Sequence, residues 1–270
     1  MNINILELIE KEKSNGYNET NANSKVSQDL ILIAIGNSSI NRNVTIKGGV
    51  VMRGKTRNTR RATQDLDIDF IKYSLSNESI DEFIRELNCL IGILFTRIGN
   101  IEELNQQDYN GKRVYIQITD FEGNQLKSKI DLGVHRKIEI EQEEYCFDVS
   151  INVEGVKLLI NSNEQILIEK LRSLLKFGPF STRYKDIFDI YFLLNKINYI
   201  KLKVCLDSYI FQDNGMRETN IENIITRLRV IFNDKQYLRR LSSTDKNWID
   251  EDNLAILNRI ISFFEDMKER

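Results

Sequence analysis

Several absences bound this chain of 270 residues before any motif is considered. It has one histidine, one proline, one tryptophan and three cysteines. The cysteines, Cys89, Cys146 and Cys205, are odd in number, widely spaced and form no CxxC pair, which argues against a disulfide framework and a thiolate zinc site. With His135 alone, a multi-histidine metal centre is excluded, and a Ser-His-Asp triad would rest on that single residue. No charge excess exists either: 38 Lys and Arg against 40 Asp and Glu leave a formal net charge of −2. A protein that coats long stretches of nucleic acid carries a large basic excess, so contact with nucleic acid here must be local. Long apolar runs are missing as well. The longest aliphatic run near the amino terminus, Leu30 to Ile35, is far short of a membrane span, and no basic segment precedes an apolar core. These readings predict a soluble, cytoplasmic protein without a membrane partner, whose chemistry rests on carboxylates, lysines and arginines.

The apolar spacing predicts an α+β protein. A short helix is expected over 3–12, a polar loop over Ser14 to Ser27, an aliphatic helix over Asp29 to Ile35, and a brief strand over Val44 to Ile46 ending at Gly48-Gly49. Asp65 to Phe70 alternates as a half-buried strand, and apolar residues from Ile80 to Leu94 recur at helical spacing. Arg113 to Asp120 and Leu126 to Val134 form a hairpin across FEGNQ. Further strand-like runs occupy Lys137 to Ile140, Tyr145 to Val153 and Val156 to Ile160. Ser162 and Gln165 have capping-box spacing and open a helix that stops at Gly178-Pro179. A second helix is expected over Arg183 to Leu194, then three or four amphipathic helices to Arg270. The predicted organisation is a helical segment with a polar loop over 1–40, a mixed-sheet core over 41–160 and a helical domain over 161–270.

The segment Lys47 to Phe70, KGGVVMRGKTRNTRRATQDLDIDF, carries the densest signal. A glycine pair after a strand lets backbone N–H groups approach a triphosphate, and a following helix adds its positive end. Six of the fifteen residues from Lys47 to Arg61 are basic, with no acid among them, a candidate patch for phosphates. Asp65 and Asp67 lie two apart in a strand, so their carboxylates share a face about 7 Å apart at the backbone. A cation must offset their repulsion, and a pair of Mg²⁺ ions about 3.5–4 Å apart suits such acids in nucleotidyl transfer. Asp131 in KSKIDLGV is in phase to join them from a neighbouring strand, about 5 Å away. Asp69 shares their phase but would lie about 13 Å from Asp65, and is expected to be a surface or ion-pairing residue. Farther along, Lys185, Asp186 and Asp189 form a charged helix stripe. Read singly, each of these also fits a solvated strand end or surface ion pair.

In order, GG, RATQDLD, IDLG, EKL and RYKDIFD resemble the AbiEii/AbiGii-type toxin nucleotidyltransferases, a branch of the DNA polymerase β-like superfamily, over roughly Val44 to Leu194. The resemblance implies a nucleotidyltransferase-type mixed sheet flanked by helices, with a C-terminal helical domain. It implies that Gly48 and Gly49 hold the triphosphate of an NTP substrate, with Arg61 nearby. Asp65, Asp67 and Asp131 would bind two catalytic Mg²⁺ ions, Lys170 would contact nucleotide phosphates, and Asp186 or Asp189 would be the essential acid of the last motif. The acceptor it implies is an RNA such as the tRNA 3′ end, within a toxin–antitoxin or phage-defence system that includes a cognate antitoxin. The chain departs from the pattern at Val50, where many members place a Ser or Thr hydroxyl. Two other functions compete: transfer to a small molecule or protein hydroxyl, and a non-catalytic relative that only binds nucleotide or a partner.

Overall fold

The computed structural model describes residues 3–104, 111–137 and 139–269. It divides the chain into two compact units, Met1–Asn161 and Ser162–Arg270.

The first unit is built on a seven-stranded mixed sheet in the order β3-β4-β5-β2-β1-β7-β6. Its strands are β1 (Val44–Lys47), β2 (Leu66–Phe70), β3 (Ile93–Leu104), β4 (Gly111–Asp120), β5 (Gln125–Val134), β6 (Glu143–Val149) and β7 (Asn152–Ile160). Neighbours β2/β5 and β1/β7 are parallel, and the other pairs are antiparallel. Period-two alternation divides the sheet into two faces. Leu66, Ile68, Phe70, Val114, Ile116, Ile118, Ile130 and Leu132 are buried on one face, while Asp67, Arg113, Tyr115, Lys129 and Asp131 are half-buried on the other.

Helix α1 (Ile5–Ser14) and helix α2 (Glu19–Asn37) belong to this unit, and α2 packs on β5 and β7. Here the expectation of a polar loop over Ser14 to Ser27 is corrected: residues 19–27 are the first half of α2. Asn18 caps it by accepting from the Asn21 N–H, and Ala22, Val26 and the whole run Leu30–Ile35 are buried, so tertiary packing outweighs the weak helix propensity of Asn, Ser and Thr. Helix α3 (Gly48–Thr56) follows β1 without a linker. Helix α4 (Asn77–Glu86), capped by Ser76, ends in a single 3₁₀ turn at Leu87–Cys89. The expected helix to Leu94 is therefore cut short: Gly92 takes φ +82°, and Leu94 lies in β3. The run Tyr145 to Val153 turns at Ser150-Ile151 and belongs to two strands, β6 and β7. Of Lys137 to Ile140, residues 137, 139 and 140 are irregular or turn, and Ile138 lies outside the described residues.

The second unit is helical among its described residues. Helix α5 (Asn163–Phe177) is capped by Ser162, which accepts from the Gln165 N–H as the capping-box spacing predicts. A turn at Gly178–Phe180 leads into α6 (Tyr184–Leu193). Then come α7 (Tyr199–Leu206), α8 (Ile221–Phe232), α9 (Lys235–Ser242) and α10 (Asn253–Glu269). Asn198, Asn220 and Asp234 cap the first three of these. The core holds Leu167, Leu171, Phe188, Leu193, Leu228, Ile260 and Phe264. Among the described residues no helix is long and apolar enough to cross a membrane.

Candidate active site

Strand register places four charged residues in one row across the centre of the sheet. Arg113 on β4 is the partner of Asp131 on β5, Asp131 of Asp67 on β2, and Asp67 of Lys47 on β1. Register partners project to the same face, so Asp67 and Asp131 stand side by side as expected. Two adjacent carboxylates repel, and the row answers with cations. The Arg113 guanidinium grips Asp131 bidentately, at 2.7 and 2.8 Å, in the planar fork geometry that only arginine offers. That hydrogen bond raises the Arg113 pKa further above its ordinary value. Asp65 stands immediately before β2, half-exposed, with Lys129 at 2.5 Å. Asp69, the next residue in phase, is buried and paired with Lys47 at 2.7 Å, which makes it an ion-pairing residue held away from solvent.

The glycine pair is required by its neighbours. Gly48 opens α3 at φ +65°, and a Cβ there would lie 2.3 Å from Asp67 Oδ2. The Asp67 carboxylate thus rests against the backbone at the positive end of α3, where only glycine fits. A Cβ on Gly49 would lie 2.4 Å from Thr63 Oγ1. Val50, at the position of the missing hydroxyl, is fully buried and serves the core.

A buried polar chain sets the backbone that carries Asp65. Gln28 on α2 donates to the Thr63 carbonyl at 3.0 Å and more weakly to the Asp65 carbonyl at 3.4 Å. Arg53 on α3 donates to Gln28 Oε1 at 2.8 Å and pairs with Asp29 at 2.8 Å. Asp29, wholly buried, also takes Lys25 at 2.6 Å and the Ser150 N–H at 3.0 Å. Sequence reading missed this network, along with Arg113 and the pairing of Lys129 with Asp65, because every link in it except Lys25–Asp29 crosses between elements. The Gln28-Asp29 pair at the edge of an aliphatic run was the available signal.

The basic run Lys47 to Arg61 turns out to be divided. Lys47, Arg53 and Arg61 are buried, whereas Arg57 and Arg60 are exposed. A continuous phosphate patch does not exist there, since half of its cations are held inside the unit.

In the helical unit, taken by itself, Lys170 lies buried on α5 with its ammonium 2.6 Å from Asp186 Oδ1 and 2.8 Å from Asp189 Oδ2 of α6. Arg183 reaches the other oxygen of Asp186 at 2.7 Å. The three residues of the EKL and RYKDIFD motifs are therefore one ion cluster. Their i, i+3 spacing turns both acids toward α5.

Among the described residues no three His, Cys, Asp or Glu side chains gather closely enough to hold a metal ion by themselves. Mg²⁺ needs less than that, because it commonly takes one or two carboxylates and fills its remaining positions with water and substrate phosphate. Asp67 and Asp131, hard oxygen donors on register partners, fit that requirement.

Comparison with known proteins places these motifs. No curated protein matches the chain. Among solved structures, the crystal structure of an antigenic nucleotidyltransferase-like protein from Paracoccidioides brasiliensis is similar, with a TM-score of 0.44 and 13% identity, over 76% of this chain and 93% of that one. The family model of the nucleotidyl transferase AbiEii toxin of type IV toxin–antitoxin systems matches residues 30–258. The chain belongs to the AbiEii nucleotidyltransferase toxin family.

Proposed function

We propose that this nucleotidyltransferase moves a nucleoside monophosphate from an NTP to the hydroxyl of an RNA such as a tRNA 3′ end, as the toxin whose cognate antitoxin restrains it. The observation that carries the reading is the row Arg113, Asp131, Asp67 and Lys47, with the α3 backbone closed on Asp67. In this reading Asp67 and Asp131 hold Mg²⁺, with Asp65 as the third acid able to accommodate a second ion. The bound metal would supply charge neutralisation at the triphosphate and lower the pKa of the acceptor hydroxyl. The chain's own groups do the rest. Gly48 and Gly49 offer backbone N–H groups at a helix start to the phosphates. Arg113 and Lys129 orient the Asp131 and Asp65 carboxylates before substrate arrives. Exposed Arg57 is the cation of the run placed to meet phosphate, while Arg61 is buried. In the helical unit Lys170, oriented by Asp186 and Asp189, is the proposed phosphate contact. Such catalysis rests on positioning and charge, without a covalent protein intermediate.

The test incubates the purified protein with labelled NTPs, Mg²⁺ and total RNA, then separates RNA, protein and small molecules. Label in the RNA fraction, lost in Asp67→Asn, is the expected result. Label in either of the other fractions would replace the RNA acceptor with a protein or small-molecule hydroxyl. No incorporation with any NTP would sink the reading.

A further inference from the structure

We propose that the turn Gly178–Phe180 and the helices against it form a binding surface for single-stranded RNA, a proposal that rests on the RNA acceptor named above and supplies a surface for it. Phe180 is 81% exposed and Phe177 52% exposed, on either side of the chain's only proline. Two aromatic rings displayed within four residues offer apolar area that a partner's flat surface can cover. The turn that displays them is held firmly. The Ser181 N–H donates to the Gly178 carbonyl at 3.0 Å, and Arg240 of α9 donates to the Pro179 carbonyl at 2.5 Å. A Cβ on Gly178 would lie 2.4 Å from the Arg227 guanidinium of α8, so a second arginine lies directly against the turn. Tyr184 and Tyr237, with ring centroids 5.9 Å apart, fix α9 beside the start of α6.

Charge indicates what covers this surface. From Arg172 to Lys185 the sequence has four basic residues and no acid, and from Lys235 to Thr244 it has three basic residues and no acid. Arg172 pairs with Asp213 at 2.7 Å, and Lys176 and Arg239 are exposed near the ends of α5 and α9. The acids that adjoin these segments are Asp186, buried in the Lys170 cluster, Asp234, whose side chain caps α9 by accepting from the Tyr237 N–H, and Asp245, paired with Lys246. An apolar protein partner would not require this exclusion of acids, whereas a polyanion does. Exposed aromatics interleaved with cations are the pattern of a single-strand platform, on which bases stack by their π-faces while Lys and Arg meet phosphates. A preformed turn loses little conformational entropy when it binds. This surface also shows how a chain at −2 engages RNA although half of the run Lys47 to Arg61 is buried.

The experiment measures anisotropy of a fluorescein-labelled single-stranded oligoadenylate, and of the matching duplex, with the full-length protein over a range of salt concentrations. Phe180→Ala should weaken single-strand binding about tenfold, leave the salt slope unchanged and leave the melting temperature unchanged; Phe180→Trp should restore affinity. Lys176→Ala with Arg239→Ala should weaken binding and reduce the salt slope by about 0.7 per lost phosphate contact. If the wild type binds the single strand and both variants match it, the surface is wrong while the RNA acceptor stands. If the duplex binds as tightly and Phe180→Ala has no effect, stacking is overturned. If the wild type binds neither probe and transfers no label to total RNA, the surface and the acceptor fall together.

Discussion

Two charged clusters in this protein contain similar residues and have opposite characters. In the sheet unit, Asp67 and Asp131 are half-buried, and Arg113 and Lys129 hold Asp131 and Asp65 at the edge of solvent. In the helical unit Lys170, Asp186 and Asp189 are nearly all out of water, with side chains 7%, 8% and 0% exposed. Charge in the first place can change partners, because water and substrate can replace a lost contact at small cost. In the second it cannot, because removing one ion strands its partners in a medium of low dielectric. The sheet row is thus suited to bind and release a metal and a triphosphate, and the helical cluster to fix a lysine in one orientation.

The largest expected effect tests the sheet row. Asp67→Asn and Asp131→Asn should each reduce nucleotidyl transfer at least about 100-fold, roughly 2.7 kcal/mol, since each removes a full charge from the transition-state environment. The fold should survive, and the melting temperature should hold or rise slightly in Asp67→Asn, because facing carboxylates repel. Full turnover of either variant at saturating Mg²⁺ would break the comparison on the catalytic side. Lys170→Met should show the opposite signature. Two buried carboxylates lose their shared cation, so unfolding free energy should fall by about 3 to 5 kcal/mol in denaturant titration, and Asp189→Asn in the same chain should recover part of that. A stable Lys170→Met protein that has lost only NTP affinity would assign the lysine to phosphate binding alone.

Much of this was legible in the sequence where the signal is local. The strand before Gly48-Gly49, the alternation Leu66–Phe70, the hairpin β4/β5 and the Ser162 cap all follow from periods and spacings within ten or so residues. Alternation likewise sets the phase of Asp67 within β2 and of Asp131 within β5, while their adjacency rests on the register of those strands. What could not be read is what depends on register or on tertiary burial. Arg113 meets Asp131 because β4 and β5 align at that residue and not one removed from it. The polar half of α2 is helical because Ala22 and Val26 find a core, and β3 begins where a helical spacing of Leu90, Ile91 and Leu94 suggested continuation. Asp69 is expected from the sequence as a surface or ion-pairing residue with no partner named, and its burial beside Lys47 follows only from the pairing of β1 with β2.

A smaller effect refines the contrast by removing a support of the sheet row and none of its charges. Gln28 is wholly buried, and its amide carries the Thr63 carbonyl on one side and Arg53 on the other. Gln28→Ala leaves a buried carbonyl and an arginine N–H short of a partner, which costs about 1–3 kcal/mol. It also frees the segment that places Asp65, so transfer should fall about tenfold, with a higher Mg²⁺ concentration needed for half-maximal rate. In an Asp65→Asn background the same change should alter stability but not the Mg²⁺ requirement. If the requirement shifts equally in both backgrounds, Gln28 acts through some residue other than Asp65.

The smallest expected effect lies at the far end of β4, outside both clusters, where a carboxylate is stabilised by neutral donors only. Asp120 is buried, and burial alone would raise its pKa. It accepts instead from the Ile5 N–H at 2.9 Å, from the Asn124 side chain at 2.9 Å and from the backbone N–H groups of Glu122 and Asn124, and these donors hold it below the ordinary aspartate value. A carboxylate whose pKa is lower in the folded state binds fewer protons there than in the unfolded chain. Its contribution is therefore complete above the unfolded value near 3.8 and fades as pH falls through the lower folded value. Because Ile5 is the first residue of α1, protonation should loosen α1 from the turn after β4 before the sheet itself opens. Asp120→Asn should flatten the acid limb of the stability curve below about pH 4 and raise amide exchange at the start of α1, with transfer at neutral pH left unchanged. An acid limb identical to wild type would show that α1 is held by Ile5 and Ile9 packing alone, and that this carboxylate contributes nothing measurable to the fold.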